Sequence, residues 1–265
     1  MNILAVGDII GVPGVEFLRG NLWQFRRDNN IDCVVANGEN SAKGNGIDAQ
    51  SAELILGSGV DVITTGNHVW HRKDIYDYMD GNNNILRPAN YPAACPGVGY
   101  NIISVLGHKI LFMNLMGVVF FDMGLESPFD VADRILAREH GKFDFAVVDI
   151  HAEATGEKIA LAKYIDDRHK AGLIFGTHTH VQTADEQILK NGAGYITDLG
   201  MTGAFDSVLG VKNELIIKKY LTRMPVKFEA CEDNIEMRGV IANISETGFE
   251  CTEIKRVRFT GESGK

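Results

Sequence analysis

Residues 171–182 read AGLIFGTHTHVQ, an apolar run that breaks into two histidines set two apart. The run from Ala171 to Phe175 has the length and character of a short buried strand. In extended backbone, residues i and i+2 point to the same side. His178 and His180 would then aim two imidazoles into one space, with Thr179 turned away. Neutral imidazole is the commonest metal ligand. In isolation, a pair of hydrogen-bonded core or surface histidines reads the same way, so the rest of the chain has to decide.

Outward from this stretch, strand-like runs alternate with helical patterns. Asn2–Gly7, Ile31–Asn37, Val60–Gly66, Phe143–Ile150 and Leu173–Gly176 read as strands. Val12–Arg27 reads as a helix with Phe17, Leu18 and Leu22 on one face. Asp48 can cap a second helix carrying Ala52, Ile55 and Leu56. Ser127-Pro128 opens and Gly141 closes a third, around Val131, Ile135 and Leu136, and Thr155–Lys170 is a fourth. Tyr100–Val105 and Lys109–Leu115 flank Gly107-His108 like a hairpin. Past about residue 210 the pattern turns to short strands, with Ser245–Gly248 as a turn between Val240–Ile244 and Phe249–Ile254. Thr260–Lys265 is expected to fray. With no repeat or linker, residues 1–265 read as one α/β domain with a mixed sheet and a β-rich C-terminal part.

Polar residues suited to metal binding recur just past the strand candidates. Gly7-Asp8 follows the first, Gly38-Glu39-Asn40 the second and Gly66-Asn67-His68 the third. His151 ends the fourth, and His178 and His180 the fifth. Loops at the carboxyl ends of strands converge in α/β sheets, and sites gather there. One such occurrence is weak, since strands must end somewhere. All five at equivalent positions, offering only oxygen and nitrogen donors, make a far more specific pattern.

Composition narrows the function classes. The chain has 265 residues, 45% hydrophobic and 23% charged, enough for a sizeable core. A net charge of −9 disfavours nonspecific binding to nucleic acid or anionic membrane. Cys33, Cys95, Cys231 and Cys251 lie far apart without a C-x-x-C pair, which fits neither a thiolate zinc site nor a disulfide framework. The opening MNILAVGD lacks a basic segment and a long apolar run, and no stretch approaches membrane-spanning length. The expected setting is cytoplasmic and reducing.

The ordered set G-D, G-E-N, G-N-H, H and G-x-H-x-H resembles the calcineurin-like metallophosphoesterase superfamily, and in its details the YmdB-like phosphodiesterase branch. The superfamily's opening D-x-H is here Asp8-Ile9-Ile10, so that histidine is missing. Its G-D is here Gly38-Glu39, with Asn40 in the vacant ligand place, as in the YmdB-like branch. The resemblance runs from Asp8 to His180 and implies a four-layer αββα sandwich around two divalent or trivalent metal ions. It implies that Asp8, Glu39, Asn40 and His180 hold one metal, that Glu39, Asn67, His151 and His178 hold the other, and that Glu39 bridges. It places a general acid at His68.

The implied activity is hydrolysis of small cyclic nucleotides, 2′,3′-cyclic monophosphates above all. The chemistry of the residues agrees with that. A carboxylate can bridge two cations, and mixed oxygen and imidazole donors suit iron or manganese, with zinc as the alternative. Two such ions would outweigh Asp8, Glu39 and a bridging hydroxide, giving an anion a positive centre on an acidic protein. Two other readings stay open on the same residues: a phosphomonoesterase or phosphoprotein phosphatase, and a metal-bound regulatory scaffold. A homo-oligomer is compatible with the sequence.

Other features carry less. Gly7, Gly11 and Gly14 do not match the dinucleotide fingerprint, and Asp8 would oppose a pyrophosphate. Lys43 is either a phosphate contact or a solvated loop lysine, and His71 either borders the site or lies on a helix surface. Asp149 and Asp198 either orient ligand histidines or serve as caps and turns. Gly200–Gly203 reads as a tight loop without chemistry.

Overall fold

The computed structural model describes residues 1–261. The expected fraying of Thr260–Lys265 therefore falls, over 262–265, outside the described residues. In chain order the elements are β1 (Asn2–Val6), β2 (Asp8–Ile9), α1 (Gly11–Asp28), β3 (Cys33–Asn37), α2 (Ala49–Gly57), β4 (Val62–Thr64), α3 (Asp74–Asp80) and β5 (Ile85–Leu86). Then come β6 (Tyr100–Val105), β7 (His108–Met116), α4 (Pro128–Arg138), β8 (Phe145–His151), α5 (Thr155–Arg168) and β9 (Ala171–Thr177). The remainder is β10 (Gln187–Ile188), β11 (Gly194–Ile196), β12 (Met201–Ala204), α6 (Asn213–Thr222), β13 (Ile235–Ile244) and β14 (Cys251–Phe259).

The local chemistry accounts for several boundaries. Asp48 Oδ1 accepts from Ser51 N at 2.7 Å while Ser51 Oγ accepts from Asp48 N at 3.1 Å, a reciprocal cap that starts α2. Ser127 accepts from Asp130 N and Pro128 sits in the first turn, which starts α4. Leu106 and Gly107 both have positive φ, at 52° and 87°, so the β6–β7 hairpin turns on that pair, and His108 faces Val105 in the ladder.

Two sheets stack face to face. One has eight strands in the order β2-β12-β13-β1-β3-β4-β5, with β14 on β13; the other has six, β10-β11-β9-β8-β7-β6. β1, β3, β4 and β5 run parallel, as do β7, β8, β9 and β11. β8 and β9 are buried along their whole length, which is why both read as continuous apolar runs. Alternation splits each strand between two cores: Ile3 and Ala5 face the other sheet with Phe112, Phe145 and Phe175, whereas Leu4 and Val6 pack under α1 and α2 with Leu18 and Ile55. A third cluster joins α4 and α5 to the second sheet through Val131, Ile135, Leu161 and Ile165. Helix, sheet, sheet, helix is the four-layer order that the resemblance implies.

The structure departs from the sequence reading in three places. Met201–Ala204 is no loop but strand β12, antiparallel to β13 and parallel to β2. The region past residue 210 contains helix α6, and its strands β13 and β14 are long and paired along most of their length. Most consequentially, β9 ends at Thr177, and His178 and His180 have φ of 98° and 64°. They reach the same space through left-handed bends and not through strand alternation. Among the described residues no helix is long and apolar enough to cross a membrane, and Cys33, Cys95, Cys231 and Cys251 are all free thiols.

Candidate metal centre

The carboxyl ends of β1, β3 and β4 in one sheet meet those of β8 and β9 in the other, and the seven candidate ligands converge there. Asp8, Glu39 and His151 are fully buried. Gly66 makes the approach tight enough: a Cβ at that position would overlap the His151 ring and Glu39 Oε2.

Glu39 sits at the middle. Its Oε1 lies 3.2 Å from His151 Nε2, 3.4 Å from His68 Nδ1 and 3.2 Å from Asn40 Nδ2, and its Oε2 accepts from His68 N at 3.0 Å. On one side, His180 Nε2 is 3.5 Å from Asp8 Oδ1 and 3.3 Å from Asn40 Nδ2. On the other, His151 Nε2 is 3.0 Å from Asn67 Oδ1 and 3.1 Å from His178 Nδ1. His178 N donates to Asp8 Oδ2 at 3.1 Å, tying the two sides together. Glu39, His151 and His178 present ligand atoms within 4.8 Å of one another. The contacts thus fall into two groups, with Glu39 between them.

Three further side chains set the orientation of His151. Thr177 Oγ1 donates to Asp149 Oδ1 at 2.7 Å, so its lone pair is left for His151 Nδ1–H at 2.9 Å. Asn37 Nδ2 also donates to Asp149, at 3.2 Å. This relay keeps Nδ1 protonated and turns Nε2 toward the centre. Asp149 thus acts on the histidine through Thr177, a partner that no motif in the sequence announces. Asp198 has a different job. It is paired with buried Lys158 at 2.7 Å and accepts from Thr179 N at 3.1 Å and Gly200 N at 2.9 Å, which pins the loop carrying both histidines. Glu153, also unforeseen, meets His178 Nε2 at 2.9 Å. Lys43 is exposed in the loop after β3, whose backbone carbonyls are held by Arg72, including Asn45 O at 2.9 Å. His71 packs against His68 with ring centres 4.7 Å apart and planes tilted by 37°, so it borders the site.

The charge distribution calls for a cation. Burial opposes ionisation of Glu39, yet the neighbouring His151 and His68 imidazoles hold its carboxyl well below the usual carboxylate range. Asp8 is likewise buried, and His180 brings it below its ordinary value. Burial disfavours charge on His151 too, but Glu39 and Asp8 outweigh it and lift the imidazole to about 9. Burial and the charge on His151 push His178 down to about 4. Burial opposes charge on His180 as well, yet Asp8 lifts it above its ordinary value, so His151 and His180 carry positive charge where the carboxylates need it. The His151 Nε2 proton faces Glu39, Asn67 and His178, and one proton cannot satisfy three acceptors. Asp8 Oδ1 is buried with no hydrogen bond. Hard oxygen and imidazole donors converging on a point, with an orphaned carboxylate oxygen beside it, fit metal ions.

A family model for YmdB-like proteins matches residues 4–257. The chain belongs to the YmdB-like protein family. A relative in Bacillus subtilis (strain 168), named 2′,3′-cyclic-nucleotide 2′-phosphodiesterase, is 39% identical over 257 residues, covering 97% of this chain and 96% of that one. A crystal structure of a hypothetical protein from Thermus thermophilus superposes with a TM-score of 0.90 at 38% identity, covering 98% of this chain and 100% of that one. A Mycoplasma pneumoniae protein described as a novel phosphatase superposes with a TM-score of 0.91 at 30% identity, over 98% and 94% of the two chains. The YmdB-like match spans both sides of the ligand cluster and includes β13 and most of β14, to which the motifs alone do not extend.

Metal binding to this site should stabilise the fold, because a ligand that binds only the folded chain adds RT ln(1 + [L]/Kd). Manganese at a hundredfold excess over its Kd is expected to add about 2.7 kcal/mol, raising Tm by roughly 5–10 °C for a chain of this size. A chelator should reverse the shift. A melting curve indifferent to both manganese and chelator would show that these donors do not form a metal site in the folded protein.

Proposed function

We propose that the chain is a metal-dependent phosphoric diester hydrolase whose preferred substrates are 2′,3′-cyclic nucleotides. The observation that carries the proposal is the convergence of ionised, buried Asp8 and Glu39 with Asn40, Asn67, His151, His178 and His180 on one small volume. The substrate is supported by the name of the Bacillus subtilis relative.

In this reading Asp8, Glu39, Asn40 and His180 would hold one cation, Glu39, Asn67, His151 and His178 would hold the other, and Glu39 would serve both. Two cations held there would supply Lewis acidity, lowering the pKa of a water and neutralising charge on phosphoryl oxygens. The chain's own side chains do the rest. Asp149 and Thr177 keep His151 in the tautomer that offers Nε2. Asp198 and Lys158 fix the loop that aims His178 and His180. His68 Nδ1 lies 2.9 Å from Asn40 Oδ1, which can hold that nitrogen as the donor and leave Nε2 to protonate the departing ribose oxygen. Its side chain is 28% exposed, open enough to reach a substrate. Asn40 in place of a further imidazole enriches the first metal's shell in oxygen, which favours iron or manganese over zinc.

A panel of 2′,3′-cyclic AMP, 3′,5′-cyclic AMP, 3′-AMP and a phosphoserine peptide, run on protein reconstituted with iron, manganese or zinc, tests this reading. The expected order puts the 2′,3′-cyclic diester first, with iron or manganese giving the higher turnover. Turnover with zinc alone would overturn the metal preference. Faster cleavage of the monoesters would favour a phosphatase, the description carried by the Mycoplasma pneumoniae relative.

A further inference from the structure

On its open side the ligand cluster continues into a cavity of about 380 Å³, whose inner end is formed by Asn40, His68 and His180. Its outer wall comes from the 205–234 excursion between β12 and β13. That excursion is closed on itself: Val211 bridges both Val208 and Ala230, Cys231 N donates to Gly210 O at 2.9 Å, and Lys212 pairs with Glu229 at 2.9 Å. Of α6, only Ile216 is buried. The wall therefore holds apolar side chains that the fold leaves uncovered. Leu209, Tyr220 and Phe228 line the cavity while remaining 46%, 66% and 39% exposed. Ala42, Gly44 and Asn45 also line the cavity and add little bulk. Lys219 Nζ lies 4.6 Å from the Phe228 ring centre and is the cation of this wall.

Exposed aromatics gathered beside a buried polar centre mark a binding groove. Here the groove has the volume of a small-molecule site and shares its inner residues with the ligand cluster, so its occupant must be joined to the group that cluster holds. We infer that the cavity receives the nucleoside part of the substrate, with the base stacked against Tyr220 and Phe228, Leu209 on its edge, and the phosphodiester at the His68–His180 end. The inference rests on the phosphodiesterase reading and adds to it the residues that read the base. A nucleobase is flat, aromatic and polar only at its rim, so stacking holds any of the four, and purines more than pyrimidines. A larger cavity, of about 940 Å³, borders none of the six other candidate ligands nor Asn40, and its Arg134 and Arg138 are already paired with Glu126 and Glu139.

The test compares 2′,3′-cyclic AMP with ribose 2′,3′-cyclic phosphate, which lacks the base. In a Tyr220→Ala/Phe228→Ala double variant, KM for the nucleotide is expected to rise about tenfold or more with kcat changed by less than about threefold, because stacking contributes to binding and not to bond cleavage. KM for the base-free diester should change far less, and Tyr220→Phe should keep the wild-type preference. Adenosine should inhibit the wild type competitively and the double variant weakly. Equal KM changes for both diesters, or undiminished inhibition by adenosine, would overturn the inference. Should the wild type cleave neither diester, the phosphodiesterase reading fails by itself, and calorimetry with adenosine still decides the cavity. Binding that the double variant loses supports a nucleoside site, and no binding by the wild type refutes it.

Discussion

Glu39→Gln is expected to abolish turnover of every phosphodiester, by at least about three orders of magnitude, because the Lewis acidity it would anchor in the proposed metal centre is worth several kcal/mol. The substitution is close to isosteric. Oε1 can still accept from His68 N in the swapped orientation, so the loop after β4 should stay in place. What disappears is the charge. Without it, His151 loses the partner that raises its imidazole to about 9, and the two proposed cations would lose their shared ligand. Metal content should fall from about two per chain toward one or none. Asn67→Ala and His178→Ala each touch one side of the cluster and should weaken mainly one metal. Two fully occupied metals in Glu39→Gln would remove Glu39 from the bridging role. Equal loss of both metals in all three variants would dissolve the partition into two half-sites.

The parts of this site that are legible in the sequence are those where a local rule acts alone. Asp8, Glu39, Asn67, His151 and His178 each stand where an apolar run stops, and a parallel strand buried on both faces must read as such a run. Asp48 announces α2 because its cap is satisfied three residues on. The illegible parts depend on tertiary contact. Met201–Ala204 has the glycines of a loop and becomes a strand only because β2 and β13 lie on either side to pair with it. α6 shows little helical periodicity because only Ile216 is buried, so no apolar stripe is written into it. Strand alternation brings the two histidines of the THTH segment into one space by the wrong route. Gly176 approaches the Thr197 carbonyl so closely that a Cβ would overlap it, and the chain leaves the sheet just after, through positive φ at His178 and His180. The Asp149–Thr177–His151 relay joins residues on β8 and β9 that pair across the sheet, a register that no single strand encodes.

His68 separates proton transfer from metal binding, and its prediction turns on leaving-group chemistry. A ribose oxygen expelled from a cyclic phosphate is a strong base and needs a proton as the P–O bond breaks; a nitrophenolate departs readily without one. His68 follows Asn67 directly and touches Glu39 through its backbone N–H, yet its imidazole lies beside Asn40 and lines the open cavity. His68→Ala should therefore keep both metals and lose about 10²–10⁴-fold in turnover of 2′,3′-cyclic nucleotides, the usual contribution of a general acid. Toward bis-nitrophenyl phosphate the same variant should lose far less. Replacing a proposed ligand such as His151 would instead depress both substrates together with the metal content. The informative quantity is the ratio of the two losses at matched metal occupancy. A ratio near one would mean that His68 positions phosphate or supports the metal ligands through Asn40, and that the leaving oxygen takes its proton from elsewhere.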